Sequence, residues 1–435
     1  MYAARIRASR RSNRCRQGHA LLTYTGSYID FWETKMTTSL RQDARVIGLV
    51  GTSHAVSHFY HLILAGLFPW LKEAFSLSYS ELGLLMTVFF VVSGVGQALS
   101  GFVVDRVGAR RVLFTGQALL GLGALVLASA PSYAVLLAGS FVAGCGNAVF
   151  HPAGYTLLNH GVSRDRLAYA FSVHGISGNL GWATAPVFLA GVATLSNWRV
   201  ALLAASAIPF LMLLVLFLNR AVLPNEATVA KPGTEGASSF GFLRLRAVWM
   251  CFGFFFLTSI ALGGIQAFSS TSLVALYGIT FATAATAYTT FMLSSAAGMV
   301  AGGFLAARAH NHDRTITVAF LFAAALALVL AASVVPGPLV VLVMGAIGFA
   351  TGVAGPSRDL LIRAAAPPNA TGRVFGVVYS GLDTGMSVGP LLFGALMDGG
   401  HPASVFIGVA LFQTLAIATA VGAGNSRRSP VAHKA

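Results

Sequence analysis

Three histidines, His54, His58 and His61, interrupt the otherwise apolar run 46–71. At 100° per residue they fall at roughly 0°, 40° and 340° around a helix, so three imidazoles and Ala65 share one face. Imidazole titrates near neutral pH; it can relay a proton, and once protonated it attracts an anion. His151 and His174 lie in two further apolar runs, which puts five of the eleven histidines in such segments. One histidine in a hydrophobic helix is more often a structural hydrogen bonder, but five in one half of a chain are harder to explain that way. The i, i+4 pair His54 and His58 also has a spacing that chelates Zn or Ni. No carboxylate or thiolate stands where it would complete such a site, so no metal is assigned. Asn147, His151 and Tyr155, at i, i+4 and i+8, give a second helix a polar face. Asp383 is the acid placed deepest in an apolar run. Ionised there it would cost at least ~2.5–3.5 kcal/mol, so it must be paired, protonated or in water. Gln266 and Tyr379 are the expected hydrogen-bonding neighbours of Asp383. Together with Asn147, His151 and His174 they complete the predicted substrate or proton pathway.

These residues need a membrane-spanning scaffold. The chain is 56% hydrophobic and 9% charged, against about 25% charged in soluble domains. Counting about 20 apolar residues per crossing, twelve spans fall near 46–70, 82–104, 111–130, 133–157, 167–191, 199–219, 247–269, 281–306, 315–335, 338–361, 373–397 and 403–422. The expected fold is therefore an all-α membrane protein. Residues 1–45 read as a basic, disordered tail, whose first 35 residues could be an upstream extension before Met36. A cytoplasmic linker, 220–246, separates two six-helix halves, 46–219 and 247–422, and 423–435 form a second tail. Of the 28 Lys and Arg, all but Lys72 and Arg199 lie on one side of this arrangement. Such a bias places both termini and the linker in the cytoplasm, and it accounts for the net charge of +15 without nucleic acid. Cys15, Cys145 and Cys251 form no CxxC pair, so no disulfide framework is expected.

The two halves repeat. Phe150-His151-Pro152 and Ala354-Gly355-Pro356 stand 204 positions apart, as do 171–186 and 375–390, which pairs Asn179 with Asp383. Gly101-Phe102 and Gly303-Phe304 match at 202. Repeated halves are a transporter signature, with the substrate site at their interface near mid-membrane. Pro152, Pro186, Pro356 and Pro390 are placed to bend their helices. Between spans 2 and 3 the chain carries Gly101, Asp105, Arg106, Gly108, Arg110 and Arg111 in the order GFVVDRVGARR. This resembles the loop motif of the major facilitator superfamily, G-x-x-x-D-R-x-G-R-R, except for Ala109 in place of the second arginine. The resemblance covers about 45–425 and implies two six-helix bundles, alternating access, and Asp105 with Arg106 and Arg110 as a conformational latch.

Phe150-His151-Pro152, with a histidine-bearing first span, is similar to the fosmidomycin-resistance branch of that superfamily. That implies proton-coupled efflux of a drug or small organic solute through a monomeric protein of the bacterial inner membrane. Organic-acid uptake with protons, or a non-transporting receptor on the same scaffold, are the alternatives. There is no phosphate-binding GxxxxGK[ST]; neither an enzyme activity nor a cofactor is expected.

Overall fold

A computed structural model of the chain describes residues 40–224, 244–308, 311–365 and 371–428. Most of the predicted tail and linker therefore lie outside the described residues. The helices are α1 (40–61), α2 (Phe68–Phe75), α3 (Tyr79–Val107), α4 (Ala109–Ala128), α5 (Tyr133–Asn147), α6 (Phe150–Gly161), α7 (Leu167–Leu195) and α8 (Trp198–Leu218). They continue with α9 (Arg246–Tyr277), α10 (Phe281–Arg308), α11 (His312–Ala331), α12 (Val340–Ala365), α13 (Thr371–Asp398) and α14 (Ser404–Arg428). Two crossings are each made of two pieces. The first is α1, a 3₁₀ turn over Ala65–Leu67, and α2; the fourth is α5 and α6, which part at Ala148 and Val149. Among the described residues ten helical segments are long and apolar enough to cross a membrane. Helix α1 carries three of the histidines and α13 carries Asp383.

Two tail boundaries are corrected. Residues 40–45 are helical rather than part of a disordered tail. Asp43 ties them down: its carboxylate receives Arg166 Nε at 2.7 Å and Ser163 Oγ at 2.6 Å. At the other end α14 continues to Arg428, past the predicted boundary at 422.

Prolines shape the bundle through the carbonyls they leave without a helical N–H. Pro152 cannot donate to Ala148, and Ser100 of α3 donates its hydroxyl to that carbonyl instead, at 3.1 Å. Pro209 likewise frees the Ala205 carbonyl, which accepts from Tyr60 Oη at 3.1 Å. Pro186, Pro356 and Pro390 lie inside α7, α12 and α13 as predicted. Pro152 differs: it is the third residue of α6, just after a break, not the bend of a continuous helix.

Two seams join the halves, α3 against α13 and α7 against α10. They are equivalent under the sequence repeat. On the first, Gly83 packs on the backbone of Pro390, Thr87 Oγ1 donates to Ser387 O at 2.7 Å, and Gly94 faces Asp383. The end carrying Tyr79 and Asp398, remote from most arginines, is here called the far end. There the α3 N-terminus is fully capped. Ser78 and Glu81 form a capping box, and the Asp398 carboxylate accepts the N–H groups of Tyr79 and Ser80 at 2.6 and 2.8 Å. Burial acts to raise the Asp398 pKa, but hydrogen bonds from Ser80 and Tyr79 and the charge of Lys72 outweigh it and lower it. A carboxylate with a depressed folded pKa contributes stability above its unfolded pKa, about 4, and loses it as pH falls through the folded value. Asp398→Ala is thus expected to lower the melting temperature at pH 7, by the low end of the roughly 0.5–2 kcal/mol of a helix cap. The deficit should shrink below about pH 4; intrinsic tryptophan fluorescence against temperature at several pH values measures it.

Within the second half, α10 and α12 cross with almost no side chain between them. A Cβ on Gly298 or Gly302 would strike the carbonyls of Phe349 or Val353, and one on Gly348 or Gly352 those of Phe291 or Ser295. This is the small-residue packing of membrane helices, where close backbone approach replaces the hydrophobic drive available in water. Gly352→Leu is expected to abolish monodisperse, folded protein. Gly101→Ala should be silent in the same size-exclusion and melting assays, because among the described residues no heavy atom lies within 4 Å of where its Cβ would stand. Gly303 is the same. Gly108 makes the φ +94° turn between α3 and α4.

Candidate functional site

The broken crossings place all five histidines in one cluster. His54 stacks on His174 at 3.6 Å between ring centroids and lies 4.3 Å from His58; His58 stacks on His61 at 4.6 Å. His151, at the start of α6, is 5.1 Å from His54. The histidine stripe on α1 thus meets α6 and α7.

The five are not equivalent. His61 is held on both sides. The Trp182 indole N–H, which can only donate, points at His61 Nδ1 at 3.1 Å. A neutral His61 therefore carries its proton on Nε2, which faces the Asn147 amide at 3.0 Å. The two ends of a carboxamide are nearly isosteric, so Asn147 is read with its oxygen toward His61 and Ser93 and its nitrogen toward Ser57. Those contacts are 2.8 Å to Ser93 Oγ and 2.5 Å to Ser57 Oγ. His58 is the opposite case: it is 8% exposed, and among the described residues neither ring nitrogen has a hydrogen-bond partner. The His174 ring nitrogens are likewise unpartnered.

From His54 a chain of polar groups crosses to the other half. His54 Nδ1 lies 2.8 Å from the His174 carbonyl, and His54 Nε2 lies 3.3 Å from His151 Nε2. His151 Nδ1 lies 2.7 Å from Gln97 Oε1, and Gln97 Nε2 donates to Asp383 Oδ2 at 3.0 Å. Donors and acceptors must alternate along such a chain. The carbonyl only accepts, so His54 is protonated on Nδ1 and presents a lone pair on Nε2. With Asp383 ionised, Gln97 donates to it and accepts from His151 Nδ1–H, so a neutral His151 also presents a lone pair on Nε2. Two lone pairs then face each other. One added positive charge resolves this: a proton on the imidazole pair, or, with the Gln97 amide turned over, a proton on Asp383.

Gln97 was missed from the sequence, yet the repeat holds a signal for it. An offset of 202 pairs Gln97 with Met299, and 204 pairs Asp383 with Asn179 and His151 with Gly355. Asn179 Nδ2 contacts Met299 Sδ at 3.2 Å on the other seam, and Gly355 lies beside Met299. The same duplicated geometry is thus polar and ionisable on one seam only.

Other predicted residues fall elsewhere. Gln266 is not a neighbour of Asp383. α9 packs on α13 with Gly264 against Phe393, ten residues or about 15 Å along the helix from Asp383. Gln266 is buried there with its amide unpartnered. The side chains of Tyr379 and Asp105 lie outside the described residues, so the latch cannot be read at Asp105. Arg110 Nη1 instead donates to the carbonyls of Arg220 and Leu223, at 2.6 and 3.2 Å, clamping α4 to the end of the first half. Arg106 and Arg111 are exposed.

The profile of the Major Facilitator Superfamily matches residues 50–374 and 268–433. The chain belongs to the major facilitator superfamily. Among curated superfamily relatives it is 30% identical over 145 residues to an uncharacterised transporter, YfnC, of Bacillus subtilis, covering 33% of this chain and 35% of that one. It is 26% identical over 154 residues to the fosmidomycin resistance protein of Escherichia coli, covering 35% and 38%. A probable nitrate transporter, NarT, of Staphylococcus aureus is 24% identical over 156 residues, covering 36% and 40%. The matched stretches span well under half of these relatives. The fold is also that of a bacterial homologue of the human lysosomal transporter Spinster, in an inward-facing and occupied conformation. The TM-score is 0.68 at 15% identity, covering 88% of this chain and 95% of that one. As a superfamily member the chain is an integral, multi-pass membrane protein of a transporter family, whose members are not enzymes.

Proposed function

We propose that the chain is a proton-coupled exporter of a small organic solute, working by alternating access in the bacterial inner membrane. Its termini and linker face the cytoplasm, as the basic residues argue, and its units are the two six-helix halves. The observation that carries this reading is the chain from His54 through His151 and Gln97 to Asp383. It joins imidazoles of one half to the carboxyl of the other near mid-helix, and its donor count requires one added cation. While the halves are in contact at this level, the charge is shared. When they part, the Gln97–Asp383 contact breaks, and Asp383 and the imidazoles titrate separately. Rocking and proton transfer are coupled by that one contact. The far end is closed by cross-half contacts between Asp398 and the α3 N-terminus.

The fosmidomycin resistance relative favours export of an anionic solute. Proteoliposomes of known orientation, with an imposed pH gradient, test this with labelled fosmidomycin and nitrate as probes. Export predicts fosmidomycin movement opposite to the proton flow, and a matching lumenal pH change reported by pyranine. Accumulation of either anion along the proton gradient would replace export by uptake. Exchange with no pH response would remove proton coupling.

A further inference from the structure

We infer that His54, His58 and His151 form a binding site for a divalent transition-metal cation of the Zn, Co or Ni class. One ligand nitrogen from each of the three lies within 4.8 Å of the others. His54 Nε2 and His151 Nε2 stand 3.3 Å apart, the separation of two nitrogens on one tetrahedral ion at Zn–N distances of about 2.0–2.1 Å. Their lone pairs face each other across this gap, as the donor count requires. The other nitrogen of each ring is already held as metal-bound imidazoles usually are: His54 Nδ1 by the His174 carbonyl and His151 Nδ1 by the Gln97 amide. His58 is one turn from His54 on the same helix. Both of its nitrogens are buried and unpartnered, a cost of about 1–3 kcal/mol that a bound cation would relieve. Closing the three onto one ion asks His58 to move by at most about 1.5 Å.

Three imidazoles leave a fourth position for water or an anionic solute, and all-nitrogen ligation selects zinc, cobalt or nickel over magnesium or calcium. Asp383, held one residue away by Gln97, supplies a nearby negative charge. Tyr155, whose ring lies 5.0 Å from His174 and 6.2 Å from His151, is 41% exposed and marks the open edge of the cluster.

Purified full-length protein without a histidine tag, in detergent and without a gradient, is titrated with Co²⁺ and then Zn²⁺. The expected result is one Co²⁺ per chain above background, with the visible ligand-field bands of four-coordinate cobalt, displaced by Zn²⁺. The double variant His54→Gln/His151→Gln should lose the bands while keeping the other histidines that bind ions adventitiously. Gln97→Leu, which leaves all three ligands in place, should weaken binding by about 10–100-fold. Size exclusion and melting show whether each variant is folded; if the double variant is not, Gln97→Leu decides. Equal Co²⁺ uptake by wild type and a folded double variant, or no four-coordinate bands in the wild type, overturns the site. Proton coupling is tested separately by transport, so either result can fail without the other.

Discussion

Asp383→Asn is expected to bring gradient-driven transport to background while solute exchange between the two sides survives. Asparagine keeps the shape and can still hydrogen-bond Gln97, but it cannot lose a proton. The chain from His54 would then never be returned to the state in which Asp383 carries the charge. Exchange needs only that the loaded protein reorient, and the seam contacts between Thr87 and Ser387 and between Asp398 and the α3 N-terminus are untouched. The measurement is paired counterflow and pH-driven flux in the same vesicles. Wild-type flux in the variant, with an unchanged pH profile, would remove Asp383 from the coupling path.

The second large effect separates two neighbouring histidines. His58→Leu should stop transport yet leave the melting temperature close to wild type, because an apolar side chain of similar size replaces two nitrogens that have no partner. Substituting an unsatisfied buried polar group by an apolar one is close to neutral for stability. His61→Leu should do the reverse to stability. It strands the Trp182 indole N–H, at about 1–3 kcal/mol for that orphaned group, and takes one of three partners from the Asn147 amide. Loss of stability in both variants alike would mean that His58 also serves only to pack α1 against α7.

Much of the site was legible because helical periodicity is local. The stripe of His54, His58 and His61 follows from 100° per residue alone, and the isolation of Asp383 follows from hydropathy. What periodicity cannot assign is a partner on another helix. His61 belongs to the same stripe as His58, yet Trp182 and Asn147 make it structural, and neither is near it in sequence. Gln266 looked like a neighbour of Asp383 because both sit in apolar helices of the same half. The glycine contacts between α9 and α13 set them about 15 Å apart. Gln97 attracted no notice, since one glutamine in a span has no periodic signature.

By itself the sequence determined the all-α membrane scaffold, the six-plus-six repeat, the superfamily motif and the excess of imidazole in one half. Each is a property of composition, period or offset, which any fold of this chain must respect. Only the tertiary structure decided that the fourth crossing breaks at Ala148 and Val149 to set His151 against His54. Only it decided that Gln97 joins His151 to Asp383 across the seam, and that the duplicated seam carries Asn179 and Met299 instead. Those pairings depend on backbone approach at glycines and on carbonyls freed by prolines. Contacts of that kind are fixed by packing between segments far apart in the chain.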